Sequence, residues 1–159
     1  MNKKIRIAVA AILGIATTAT LASADQKVYT GSGCVAKGTS QSVFSYSFGR
    51  VFNASAAEQT AYCPVVLDAY TIGSTGNWIY LWDRHYDENI SCWLRTQSST
   101  TVSYYYSGVS TSGSSSTPTK HEFSSASYIS EGHRYISCDV PGTYYGNQSG
   151  IVSYAVNEW

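Results

Sequence analysis

Hydrophobic and polar residues alternate in short runs along most of the chain. Phe44, Tyr46 and Phe48 are separated by Ser45 and Ser47, and near the end Val152, Tyr154 and Val156 stand against Ser153 and Asn157. A period of two marks strands with one buried and one solvated face. Turn-forming stretches punctuate the runs: Gly31-Ser32-Gly33, Gly73-Ser74-Thr75-Gly76-Asn77, Gly113-Ser114-Ser115-Ser116, Pro141-Gly142 and Gly146-Asn147. Between them, segments rich in Val, Ile, Thr, Tyr, Phe and Trp predict strands over 27–36, 42–53, 60–71, 78–86, 89–97, 100–108, 119–129, 133–140 and 150–158. Eight or nine short strands at that spacing predict an all-β chain, an antiparallel β-sandwich of jelly-roll type, rather than βαβ units. The one competing helix, Ala54 to Ala61, has favourable propensity but no long amphipathic face.

Cysteines orient the strands, because a bridging half-cystine usually points into a core. Cys92 inward places Ile90 and Leu94 inward and Ser91, Trp93 and Arg95 outward. Cys138 inward does the same for Ile136 and Val140, leaving Tyr135, Ser137 and Asp139 outside. The run Trp78-Ile79-Tyr80-Leu81-Trp82 is apolar on both faces. It is either a central strand covered on both sides or a strand whose outer face carries exposed aromatics. From Thr96 to Ser130 serine and threonine dominate, and residues 111–119 form the expected exposed loop tip.

The first residues read differently. Lys3, Lys4 and Arg6 precede an apolar run from about Ile7 to Ala22, and Ala22-Ser23-Ala24 precedes Asp25. Basic head, apolar middle and small-residue exit predict a secretory signal over 1–24, with an uncleaved anchor as the competing reading. A single domain over 25–159 follows, soluble and outside the cytoplasm. Of ten basic residues, three lie in the head, leaving seven against ten acidic ones, a net of −3. That balance argues against nucleic acid as a partner and removes a polybasic route to membranes. Four cysteines, Cys34, Cys63, Cys92 and Cys138, suit an exported chain with two disulfides. Three connectivities are possible. The echo between Ile90-Ser91-Cys92-Trp93-Leu94 and Ile136-Ser137-Cys138-Asp139-Val140, as in two neighbouring strands, favours Cys92 with Cys138 and, by remainder, Cys34 with Cys63.

Chemistry is sparse. No Cys-x-x-Cys pair, nucleophile elbow or phosphate-binding glycine loop is present, so no catalytic residue, metal or cofactor is expected. The chain carries 14 Tyr, 4 Trp and 4 Phe. Flat rings with a polar edge stack on the C–H faces of sugars, and Trp78, Tyr80, Trp82, Trp93 and Arg95 form the best platform for a polysaccharide. The same rings also serve as ordinary strand and core residues, which β-propensity alone explains. Asp83, His85 and Asp87 alternate and could share a face toward a divalent cation or act as an acid–base pair; a solvated turn is the plainer reading.

Several short motifs together carry a resemblance: Gly33-Cys34, Cys63-Pro64-Val65 with Asp68, Ser91-Cys92-x-Leu94, Tyr135-x-x-Cys138-x-x-Pro141 and Ser153-Tyr154-x-Val156-x-Glu158. They resemble small secreted bacterial disulfide-bridged β-sandwich proteins catalogued as hypothetical. That group has no established activity, so the resemblance implies a fold and cysteine roles only. The expectation is an exported noncatalytic domain, an extracellular carbohydrate-binding module. The alternative is an envelope or matrix protein that contacts cell-surface proteins through sheet edges and aromatic patches.

Overall fold

A computed structural model describes residues 25–38, 41–68, 75–100, 104–124 and 132–158, with residues 104–106 described by backbone alone. The segment read as an export signal lies outside the described residues, as do the last residues of the predicted runs 60–71 and 119–129 and part of 100–108. The described residues form eleven strands: β1 (Asp25–Thr30), β2 (Val35–Ala36), β3 (Phe44–Ser47), β4 (Arg50–Asn53), β5 (Gln59–Val65), β6 (Trp78–Trp82), β7 (Ser91–Ser98), β8 (Tyr104–Ser110), β9 (Thr119–Glu122), β10 (Gly132–Val140) and β11 (Gly150–Glu158). Residues 54–61, the competing helix, are irregular and then strand. The first sheet runs β3-β4-β11-β6-β9, with β1 also on β11, and the second runs β2-β5-β10-β7-β8. All pairings are antiparallel. The chain changes sheet at nearly every connection, as a jelly-roll sandwich requires.

Eleven strands exceed the eight or nine predicted because two of the predicted runs break. The run 27–36 is divided at Gly31–Gly33 into β1 of the first sheet and β2 of the second. Glycine permits that step. A Cβ on Gly31 would stand 2.1 Å from the Ile151 carbonyl oxygen, far inside contact distance. The run 42–53 folds back at Phe48-Gly49 as the β3–β4 hairpin. Phe48 therefore sits at a turn tip rather than inside, and Tyr46, on the edge strand, is exposed and donates its hydroxyl to the Cys34 carbonyl at 3.2 Å. In β11 a register shift between Ile151 and Ser153 turns Ile151 inward and leaves Val152 only partly buried.

The core lies between the two sheets. Ile79 and Leu81 of β6 and Ile151, Tyr154 and Val156 of β11 meet Leu94 of β7 and Ile136 and Val140 of β10. Each such aliphatic side chain contributes about 1.5–3 kcal/mol by burial. Disulfides join Cys34 to Cys63 and Cys92 to Cys138. Cys92 is directly opposite Cys138 in the β7–β10 register, and Cys34 immediately precedes β2, whose partner strand holds Cys63. Both bridges staple neighbouring strands of the second sheet, with Cα atoms 4.0 Å apart.

Candidate functional site

The five predicted platform residues do not share a surface. Ile79 and Leu81 enter the core from β6, so Trp78, Tyr80 and Trp82 line the outer face of the first sheet, each half-buried. Cys92 and Leu94 enter it from β7, so Trp93 and Arg95 line the outer face of the second sheet. The two groups look away from each other across the sandwich. Alternation about Cys92 predicted that Trp93 and Arg95 point out, left the outer face of the Trp78–Trp82 run open, and is silent on which sheet each strand joins.

On the second sheet, Trp93 lies across Gly108, where an added Cβ would be 3.0 Å from the ring. The Arg95 guanidinium stands 5.4 Å from the Trp93 ring centre, and its Nε donates to Ser137 Oγ at 2.7 Å. Ser137 is thereby buried although it points outward. Beside them a groove of about 400 Å³ is lined mainly by Val35, Tyr62, Pro64, Gln97, His133 and Tyr135, with Tyr62 and Tyr135 edge-on at 5.4 Å.

The first sheet is organised around Trp82. Cross-strand register sets Ser45, Phe52, Gly150 and Trp82 in one row, so a residue without a side chain separates the two rings. Phe52 meets Trp82 edge-on at 6.1 Å. Arg50 and Arg84 place their guanidinium carbons 5.4 and 5.3 Å from the Trp82 ring centre, within cation–π range. The Trp82 indole Nε1 is buried and has no hydrogen-bond partner among the described residues. Arg84 donates from Nη2 to Asn147 Oδ1 at 2.6 Å, and its backbone N–H donates to Ser149 Oγ at 2.8 Å. A pocket of about 220 Å³ opens here, lined by Ser45, Ser47, Phe52, Arg84, Gly146 and Gln148. Along β6, Trp78 and Tyr80 meet edge-on at 5.3 Å, and Lys120 lies 5.9 Å from the Trp78 ring.

Two tight hairpins border that pocket. Phe48-Gly49 joins β3 to β4, with φ of 49° and 76°, and Tyr145-Gly146 joins Tyr144 to Asn147, with φ of 48° and 78°. Positive φ at both central residues defines a type I′ turn, which Asn-Gly or Asp-Gly usually fills. Here a bulky aromatic takes the first position each time. Both rings are in solvent, 98% exposed for Phe48 and 89% for Tyr145, and each adjoins a lining residue, Ser47 or Gly146. None of Arg50, Phe52, Phe48 and Tyr145 was legible as a site residue, although aromatic-Gly pairs at two turns were a usable signal.

The Asp83, His85 and Asp87 cluster does not converge on an ion. Asp83 is fully buried and accepts from the backbone N–H groups of His85 (3.0 Å) and Ile90 (3.2 Å), from Ser149 Oγ (3.1 Å) and from Thr111 Oγ1. It is a loop clamp whose oxygens are taken. Through Thr111, itself buried, it ties down one end of the expected exposed tip. His85 Nδ1 accepts from the Glu88 N–H at 2.9 Å, its ring packs 4.6 Å from Tyr144, and Asp87 is exposed. Asp25, Asp68 and Glu158 do approach one another, but the Lys27 ammonium stands among them at 2.8, 2.6 and 3.7 Å. Hydrogen bonds to Asp25 and then Asp68 raise the Lys27 pKa above the ordinary lysine range.

No family model and no curated protein matches the chain. Among solved structures it is similar to the CBM36-1 domain of a multidomain xylanase from the hindgut metagenome of Trinervitermes trinervoides. Identity is 12% and the TM-score 0.46, over 85% of this chain and 98% of that one. At that level of likeness only the geometry of the two faces can carry a functional reading, and the resemblance to secreted hypothetical proteins gains no family. Among the described residues no helix is long and apolar enough to cross a membrane.

Proposed function

We propose that this is an exported, noncatalytic carbohydrate-binding domain whose ligand lies on the outer face of the first sheet, with Trp78, Tyr80 and Trp82 as its aromatic row. One observation carries the reading: Phe52 and Arg84, both packed on Trp82, line a pocket with serine hydroxyls and the Gln148 amide, between two turns that hold Phe48 and Tyr145 out in solvent. Aromatic faces beside a few polar groups are what a sugar site requires. Trp93 and Arg95, on the opposite face, then serve to cover Gly108 and fix Ser137. Two disulfides support an oxidising compartment.

The test is affinity electrophoresis of the processed protein through gels holding a panel of polysaccharides. Retardation by at least one is expected, and Trp82→Ala is expected to weaken it roughly tenfold, the equivalent of about 1.4 kcal/mol, while Trp93→Ala leaves it unchanged. Circular dichroism of each variant separates lost binding from lost folding. A panel without any retardation would sink the reading. The alternative, a protein-contact role, is favoured by the groove lined by Val35, Tyr62, Pro64 and Tyr135 on the second sheet. Self-association that grows with concentration in gel filtration would then be seen.

A further inference from the structure

We infer that the Trp82 pocket takes an anionic sugar, one carrying a carboxylate or a sulfate ester. This rests on the carbohydrate-binding reading and narrows it. The pocket lining holds the Arg84 cation and no carboxylate, and Arg50 shares its contact with the Trp82 ring. Among the described residues the Arg50 guanidinium has no carboxylate partner and no hydrogen bond, and it stands over the Trp82 ring. Arg84 has the Asn147 amide oxygen and the other approach to the same ring, again with no carboxylate.

Cations elsewhere on the first sheet are treated differently. Lys27 stands among three carboxylates, and Lys120 pairs with Glu122 at 2.6 Å. The acid next in sequence to Arg84, Asp83, is buried with both oxygens engaged by Thr111, Ser149 and two backbone N–H groups. Two guanidiniums held against one ring without a counter-charge, in a chain with as many acidic as basic residues, form a local excess of positive charge. A guanidinium fork matches a planar carboxylate or two oxygens of a sulfate, and such charge-assisted bonds are about twice as strong as neutral ones. A neutral sugar stacking on Trp82 would have to displace a guanidinium from the ring and would leave it unpaired. An anionic sugar draws that guanidinium to itself and frees the ring for stacking. Ser45 and Gln148, themselves joined at 3.0 Å, remain beside it for sugar hydroxyls.

Affinity electrophoresis with matched pairs tests this: polygalacturonate against its methyl ester, and dextran sulfate against dextran. Retardation by an anionic member at least about tenfold stronger than by its neutral partner is expected, weakening as salt rises. The polygalacturonate pair assigns a carboxylate and the dextran pair a sulfate. Arg50→Gln and Arg84→Gln should each lose most of that difference, whereas Lys37→Gln, which removes the same charge from an exposed site on the other sheet, should keep it. Equal or stronger binding of a neutral member overturns the inference and leaves the carbohydrate reading standing. Anionic binding that survives both arginine substitutions overturns it as well, and no retardation by any glycan overturns both.

Discussion

Phe48 and Tyr145 adopt a backbone conformation that asparagine enters far more readily, at φ of 49° and 48°. The left-handed region costs a residue with a Cβ about 1–2 kcal/mol, and burial does not repay it, since both rings are in solvent and only Tyr145 has a ring contact, edge-on to Tyr144 at 4.6 Å. Natural sequences tolerate such conflicts mainly where a function holds them in place. Phe48→Asn and Tyr145→Asn are therefore expected to raise stability by about 1 kcal/mol each in urea unfolding while weakening retardation by the glycan. Unchanged or lower stability would show that these φ values carry no strain. Higher stability with undiminished binding would remove the two rings from the site. Asp83 illustrates the opposite relation. Its position in a polar run suggested a solvated turn, yet four converging donors make it a structural centre.

At the level of single strands, much was legible. In β7 buried residues alternate without a break, as expected from Cys92, because both neighbours of that strand are long and its register never slips. β11 departed from its pattern at one point only, where a bulge inserts a residue that hydrophobicity cannot reveal, since Ile151 and Val152 are equally apolar. The breaks at Gly31 and Phe48-Gly49 were hidden inside runs of β-forming residues. The disulfides follow from strand adjacency, and their weights differ with it. Cys92–Cys138 closes a loop of 46 residues and ties two long strands in the middle of the second sheet, whereas Cys34–Cys63, with a separation of 29, anchors a two-residue edge strand. Replacing both members of the first pair by alanine is expected to lower stability by up to about 4 kcal/mol, and of the second by up to about 3.5 kcal/mol. The β7–β10 loss should also broaden the transition as the centre of that sheet loosens. Equal losses, or a larger loss at Cys34–Cys63, would contradict that ranking.

Across the whole molecule, sheet membership decided what the sequence left open. Trp82 and Trp93 are eleven positions apart on consecutive strands, yet β6 and β7 belong to different sheets, so one intended platform became two faces. The pairing of the Trp82 site with Arg50 and Gln148 is equally non-local, set by β4 and the approach to β11. The same architecture shapes the response to pH from both ends. His121 on β9 has its pKa lowered by burial, with Asp83 opposing more weakly. The unfolded chain then binds more protons than the folded one between the lowered value and about 6.5. Stability is full above that range and falls as pH drops through it. Tyr154 and Tyr29 stack at 5.0 Å inside the first sheet, and burial raises both phenols above their usual range. Above about pH 10 the folded state binds more protons than the unfolded one, so stability declines with rising pH. Thermal unfolding followed against pH should give a plateau from about 7 to 10 with a loss on each side. His121→Gln should flatten the acid limb alone, and Tyr154→Phe should reduce the alkaline limb alone without abolishing it, because Tyr29 and Lys27 still contribute, and from a lower plateau, since it also removes the bond from Tyr154 to the Pro64 carbonyl at 2.7 Å. An acid limb unchanged by His121→Gln would assign that loss to carboxylates instead.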